Sequence, residues 1–86
     1  MDASFRQQVG WSPAQRILND AGARMPEPTL DPPVPVVARI LWEDDGEEYL
    51  DTEAAGWSAR LVYVRVNDRR YRLTSVWLDA ADVRRR

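Results

Sequence analysis

Between Arg60 and Val66 the chain alternates strictly. Val62, Val64 and Val66 fall on one face of an extended segment, and Leu61, Tyr63 and Arg65 fall on the other. A period of two in β-branched and aromatic residues predicts a strand with one fully buried face, and this strand is the expected centre of the core. The same pattern begins earlier: from Val34 onward, Val36, Ala38, Ile40 and Trp42 alternate with Val37, Arg39, Leu41 and Glu43, a first strand with one wholly apolar face. Asp44-Asp45-Gly46 then supplies a hairpin turn, because Asp-Gly tolerates the positive φ angles of tight turns. Glu47 to Ala55 is predicted as a second strand, with Gly56-Trp57-Ser58 turning into the central one. Asn67-Asp68 turns again, and Tyr71 to Leu78 is a fourth strand. Asp79-Ala80-Ala81-Asp82 reads as a single helical turn capped by Asp79. Val83 and three arginines end the sequence and are long enough for a short fifth strand, which leaves the count at four or five.

Upstream the pattern changes. Phe5 and Val9, four residues apart, suit one helical turn stopped by Gly10. Ser12-Pro13-Ala14-Gln15 combines a cap, a proline at the first helical position and a capping-box glutamine, and predicts a short helix to about Ala21 with Gly22 as its stop. Its stripe of Ala14, Ile17, Leu18 and Ala21 is narrow, so this helix is expected to lie against another surface. Pro26, Pro28, Pro32, Pro33 and Pro35 make residues 25–35 a stiff extended linker. The single Pro-x-x-Pro spacing within it reads as spacer. The expected organisation is a helical arm (1–24), a proline-rich linker (25–35) and a β domain (36–86).

Four sequential antiparallel strands, a one-turn helix and a short fifth strand give residues 34–86 an element order that resembles the SH3-like small barrels, Tudor and related modules among them. The resemblance implies a mostly β fold of four to five antiparallel strands, preceded here by the short N-terminal helix. Barrel closure would protect edge strands that an open meander leaves exposed. A meander sheet packed on the Ser12–Ala21 helix is the competing arrangement. The segment from Val76 through Trp77, Leu78 and Asp79 to Arg84 is also similar to small proteins of GC-rich actinobacteria, a likeness that implies no activity.

Composition narrows the chemistry. The 86 residues contain no Cys and no His, which removes disulfides, thiol nucleophiles, Cys/His zinc sites and His-based triads. No apolar run approaches the roughly 20 residues of a membrane helix. The N-terminal residues lack the apolar core of a signal peptide, so a cytoplasmic location is expected. All 12 basic residues are Arg, a bias that a GC-rich genome accounts for. The formal net charge of -2 is unevenly spread: residues 1–59 carry 11 acids and 4 Arg, whereas residues 60–86 carry 8 Arg and 3 acids.

Three constellations stand out. Glu43, Asp44, Asp45, Glu47, Glu48, Asp51 and Glu53 put seven acids in 11 positions. The tight Asp45-Gly46 turn leaves too short a loop to wrap an ion, so neither a metal site nor a catalytic carboxylate pair is expected. No cofactor is implied and the chain reads as non-enzymatic. Arg69, Arg70, Arg72, Arg84, Arg85 and Arg86, interleaved with Tyr71 and Trp77, have the ingredients of a nucleic-acid surface. Against that, Arg60 and Arg65 are expected beside the acidic second strand, in cross-strand ion pairs.

The aromatic set is Trp11, Trp42, Trp57, Trp77, Tyr49, Tyr63 and Tyr71. Of the four indoles, Trp42 and one other are expected in the core and two partly exposed, Trp57 foremost among them. The leading expectation is a protein-binding or adaptor module contacting its partner through Trp57, Leu61, Tyr63, Arg65 and Tyr71 on one outer face. The alternative is a nucleic-acid-binding accessory protein using the C-terminal arginines. Self-association through the Phe5–Leu18 arm is a further expected contact.

Overall fold

The structure, a computed structural model, describes residues 14–22 and 30–86. The alternating segments form five antiparallel strands: β1 (Val34–Trp42), β2 (Gly46–Ser58), β3 (Leu61–Arg65), β4 (Ser75–Asp79) and β5 (Val83–Arg85). They make one sheet in the order β4-β3-β2-β1-β5. A 3₁₀ turn, Ala80–Asp82, joins β4 to β5, and the Asp79 carboxylate caps it by accepting from the Ala81 amide at 2.9 Å. The mostly β reading of the sequence is therefore right. The sheet is not closed by strand pairing, since β4 and β5 end it. Among the described residues no helix is long and apolar enough to cross a membrane.

The apolar faces of β1 and β3 meet as their alternation predicts. Ala38, Ile40 and Trp42 pack with Val64, Val66, Val76 and Leu78 in one buried cluster. The β1–β2 hairpin turns at Asp44-Asp45-Gly46, with Gly46 at φ +78°. There its missing Cβ relieves the steric cost that other residues meet.

β2 runs longer than its sequence predicts. It pairs with β1 from Gly46 to Ala54 and with β3 from Ala54 to Ser58. Between the two ladders the register shifts: Ala54 lies opposite Val64, but Gly56 lies opposite Tyr63, leaving Ala55 as the extra residue. Such a bulge bends the strand and reverses the facing of every residue beyond it. The Ala55 carbonyl accepts from the Leu30 amide at 2.7 Å. The β2–β3 turn, Ala59-Arg60, holds Ala59 at φ 54°, a left-handed conformation that costs a non-glycine residue on the order of 1–2 kcal/mol.

Residues 14–21 are not helical, contrary to the capping signal in the sequence; Ser12 and Pro13 lie outside the described residues. The segment is a tight turn flanked by two isolated bridges, Ile17 to Trp42 of β1 and Asp20 to Leu78 of β4. Leu18 donates its amide to Leu41, Glu43 to Arg16 and Ala21 to Trp77. The segment thus lies along free edges of β1 and β4, strands that are not neighbours in the sheet. Ile17 is buried in the core cluster. Asn19 completes the seam: its Nδ2 donates to the Arg39 carbonyl at 2.8 Å and its Oδ1 accepts from the Leu41 amide at 3.0 Å. An Asn side chain that substitutes for a strand competes directly with helix formation.

The fourth strand is shorter than the sequence predicts. Tyr71 to Thr74 are loop, with Arg72, Leu73 and Thr74 exposed, and β4 starts at Ser75. Burial begins only at Val76, and Val76, Trp77 and Leu78 are all buried. Asn19→Ala is expected to destabilise the chain by about 1–3 kcal/mol, because it leaves a strand amide and a strand carbonyl of β1 unsatisfied. Urea denaturation measures it; Asn19→Asp, which sets a carboxylate oxygen where Nδ2 donates to the Asp82 carboxylate at 3.2 Å, is expected to cost at least as much.

Candidate functional site

Paired residues on neighbouring strands share a face of the sheet, so register decides which expected contact residues come together. Tyr63 lies opposite Gly56 on one side and Trp77 on the other, and its ring meets that of Trp77 at 4.9 Å, tilted by 47°. Leu61 and Tyr63 are half-buried there, and exposed Arg65 is 3.7 Å from Glu53 of β2. The cross-strand ion pair expected of Arg65 is present. For Arg60 the arrangement differs: it sits in the β2–β3 turn, where its carbonyl accepts from the Ala80 amide at 2.7 Å.

Trp57 does not join this group. It lies opposite Val62, on the face of the valines, because the bulge at Ala55 has reversed the phase of β2. Without that extra residue Trp57 would continue the outward series of Tyr49, Asp51 and Glu53. Tyr71 is apart as well: it packs from the β3–β4 loop against the core cluster, and burial raises the pKa of its hydroxyl. The expected single face of Trp57, Leu61, Tyr63, Arg65 and Tyr71 is therefore divided between two faces of the sheet and a loop.

Around Trp57 a different site forms. Val34 and Val36 of β1, Ala54 of β2, Val62 of β3 and Val83 of β5 make an apolar groove of about 110 Å³, with Ala80 and Trp57 at its sides and Arg84 and Arg85 on its β5 wall. Trp57 is 49% exposed, whereas Trp42 and Trp77 are buried. The split between buried and exposed indoles expected from the sequence holds for these three; Trp11 lies outside the described residues. Arg85 lies opposite Val36 and so shares the groove's face, while Arg84 lies opposite Val37. Neither arginine has an acidic partner among the described residues. The neighbouring acids are occupied, Asp79 on the Ala81 amide and Asp82 on Arg39 at 3.1 Å.

The other arginines are distributed differently. Arg86 donates to the Thr52 carbonyl at 3.0 Å. Arg69 and Arg72 are exposed in the β3–β4 loop. Arg70 is drawn inward: its guanidinium stacks on the Trp42 ring at 4.1 Å and reaches Asp68 at 2.7 Å, Glu48 at 2.6 Å and Asp45 at 3.0 Å. Arg85 pairs near the start of β1, whereas Arg70 stacks on its last residue. At about 3.3 Å per strand residue, roughly 20 Å separates the two ends. The candidate nucleic-acid arginines thus fall into two sets about that far apart, and one of them, Arg70, is ion-paired.

Sequence reasoning missed the partners of Arg70. Gln15, assigned to a capping box, instead accepts from the Asp44 and Asp45 amides at 3.0 and 3.1 Å and donates to the Asp45 carboxylate at 3.0 Å. Its own amide donates to the Arg70 carbonyl at 2.6 Å. The Trp42 indole N–H donates to Glu48 at 2.9 Å. These bonds tie the N-terminal segment, the acidic hairpin and the β3–β4 loop into one network over the Trp42 ring. Hydrogen bonding from Gln15 and Arg70 holds the Asp45 carboxyl below its ordinary pKa, and Arg70 does the same for Asp68. The charged partners in turn raise the pKa of Arg70. Much of the acidic cluster therefore serves packing: Glu47 pairs with Arg39 at 2.7 Å, and Glu43 with Arg16 at 2.9 Å. Among the described residues no group of three or more acids is arranged to hold a metal ion.

Neither family models, curated proteins nor solved structures yield a match to the chain, which leaves the chemistry of these residues as the ground for a function.

Arg70→Leu is expected to cost about 1–3 kcal/mol near pH 6, since it strands Asp68 and Glu48 beside an apolar ring. Hydrogen bonds from Arg70 to Asp68, and from Gln15 and Arg70 to Asp45, depress the folded-state pKa values of both carboxyls, so their contribution is present above the ordinary Asp value of 3.8. It is lost as pH falls through the lower folded values. Denaturant titrations of both proteins from pH 6 to pH 2 are expected to show the gap between them narrowing below about pH 4. A gap that stays constant over that range contradicts the assignment.

Proposed function

We propose that this chain is a cytoplasmic, non-enzymatic protein-binding module of adaptor type, and that its sheet is an SH3-like small barrel in the arrangement of its strands. The order β4-β3-β2-β1-β5, with a 3₁₀ turn leading into β5, supports the barrel likeness. The observation that carries the function is Trp57, half exposed at the rim of an apolar groove instead of turned into the core. An indole offers a large rigid contact area at small entropic cost, which is why such rings anchor protein interfaces. In this reading Trp57 is the anchor. Leu61, Tyr63 and Arg65 form a separate outer face, and Tyr71 supports the core. Leu18, 56% exposed at the turn of the N-terminal segment, is the described residue that a second contact or self-association would use.

The nucleic-acid alternative draws on Arg69, Arg72, Arg84 and Arg85, which are exposed and free of ion pairs among the described residues. It has less support. A phosphate-tracking surface needs its cations along one path, and these lie in two sets at opposite ends of β1. The decisive comparison is affinity capture from the native host with wild-type chain and with Trp57→Ala. A partner protein held by the first is expected to be lost with the second, while the circular dichroism and melting of the two chains remain alike. Equal capture by both chains contradicts the role of Trp57. Salt-sensitive binding of DNA or RNA that disappears on removing Arg84–Arg86 supports the alternative instead.

A further inference from the structure

We infer that the groove beside Trp57 takes an extended acidic segment of a partner protein, which seats one branched aliphatic side chain over Val62 and Val83 and sets a carboxylate against Arg85. The inference rests on the protein-binding reading and specifies its ligand.

Size sets the anchor. The groove is open to solvent and measures about 110 Å³, room for one valine-, isoleucine- or leucine-sized group. The floor of Val34, Val36, Ala54, Val62 and Val83 carries no side-chain hydrogen-bonding group, so a polar anchor would be buried without partners at a cost of a few kcal/mol.

Charge sets the flank. Arg16, Arg39, Arg65 and Arg70 are each ion-paired within the chain. Among the described residues Arg84 and Arg85 have no such partner, although the chain as a whole has an excess of acids. Arg85 lies on the groove's face opposite Val36, beside the apolar floor, where a guanidinium meets a carboxylate through paired, charge-assisted hydrogen bonds. Backbone geometry sets the conformation. Among the described residues β5 is the last strand of the sheet order and has no strand on its outer edge. An extended segment laid along it gains main-chain hydrogen bonds while alternate side chains point into the groove.

The test uses the full chain and three synthetic peptides with one Ser/Thr-rich extended frame. The first carries Ile flanked by two Glu, the second replaces both Glu with Gln, and the third replaces Ile with Asn. Trp57 emission reports seating of the peptide, and Trp57→Phe confirms the source of the signal. The Glu/Ile peptide is expected to bind and shift the indole emission. The Gln and Asn peptides are expected to bind at least tenfold more weakly, and added salt is expected to weaken the two Glu-containing complexes while leaving the Gln complex nearly unchanged. Arg85→Gln, an exposed change that leaves the core untouched, is expected to make the Glu and Gln peptides bind alike.

Equal binding of the Glu and Gln peptides to the wild-type chain overturns the acidic partner and leaves protein binding standing. Binding of none of the three, with the fold intact by circular dichroism, overturns the groove as the site, and capture with Trp57→Ala then decides the wider reading. Displacement of the Glu/Ile peptide by single-stranded DNA or RNA at low salt overturns both.

Discussion

One strand must serve two ladders, and the rest of the structure follows from how β2 does so. Thirteen residues pair first with β1 and then with β3, and a strand shared in this way has to bend for both apolar faces to point at one core. The extra residue at Ala55 supplies the bend. Up to Ala54, β2 sends its even-numbered side chains inward with Val36 and Ala38 of β1. Beyond Gly56 the odd-numbered Trp57 takes the inner side with Val62. The same shift that lets the sheet curve therefore turns a large indole from the acidic outer face to the rim of an apolar groove.

The opposite end of β1 is held by polar groups. Trp42 is buried there, yet its N–H needs an acceptor and its ring lies under Arg70. A cation on an indole face is worth from about 0.5–1 kcal/mol when exposed to about 2 when desolvated. Here Asp68, Asp45 and Glu48 fix it in place. Gln15 joins this network to the N-terminal segment, which with Asn19 and Ile17 covers edges of β1 and β4. A small sheet with little area to bury gains most from such seams, since each one protects backbone groups that water or another chain would otherwise pair.

What was legible in the sequence is what alternation records. The apolar face of β1, the Asp45-Gly46 hairpin and the Asp79 cap follow from periods and turn chemistry and are found; of the three valines Val64 and Val66 are buried, while Val62 is half-buried and Val66 lies just beyond β3. Three features were not legible, for separate physical reasons. The bulge at Ala55 leaves no local mark, because an alanine there is compatible with a continuous strand. The helix expected at 12–21 rested on a capping signal of local strength, and long-range bonds from Gln15 and Asn19 to β1 and its hairpin outweigh it. The strand expected from Tyr71 lost its first residues because Arg70 turns in toward Trp42 and the chain needs a loop to return. The acidic and basic blocks were visible as composition, but only register shows that Arg39, Arg65 and Arg70 are consumed by the acids while, among the described residues, Arg84 and Arg85 are left over.

These points converge on the facing of a single side chain. If Trp57 belongs with Val62 and the β5 arginines, the groove is a recognition surface with an apolar floor and a cationic wall. If it belongs with Tyr63, that surface does not exist. Nuclear Overhauser contacts from the Trp57 indole protons in the labelled full-length chain decide between these directly. The account predicts contacts to the methyl groups of Val62 and none to the ring of Tyr63. Contacts to the Tyr63 ring, with none to Val62, would contradict it.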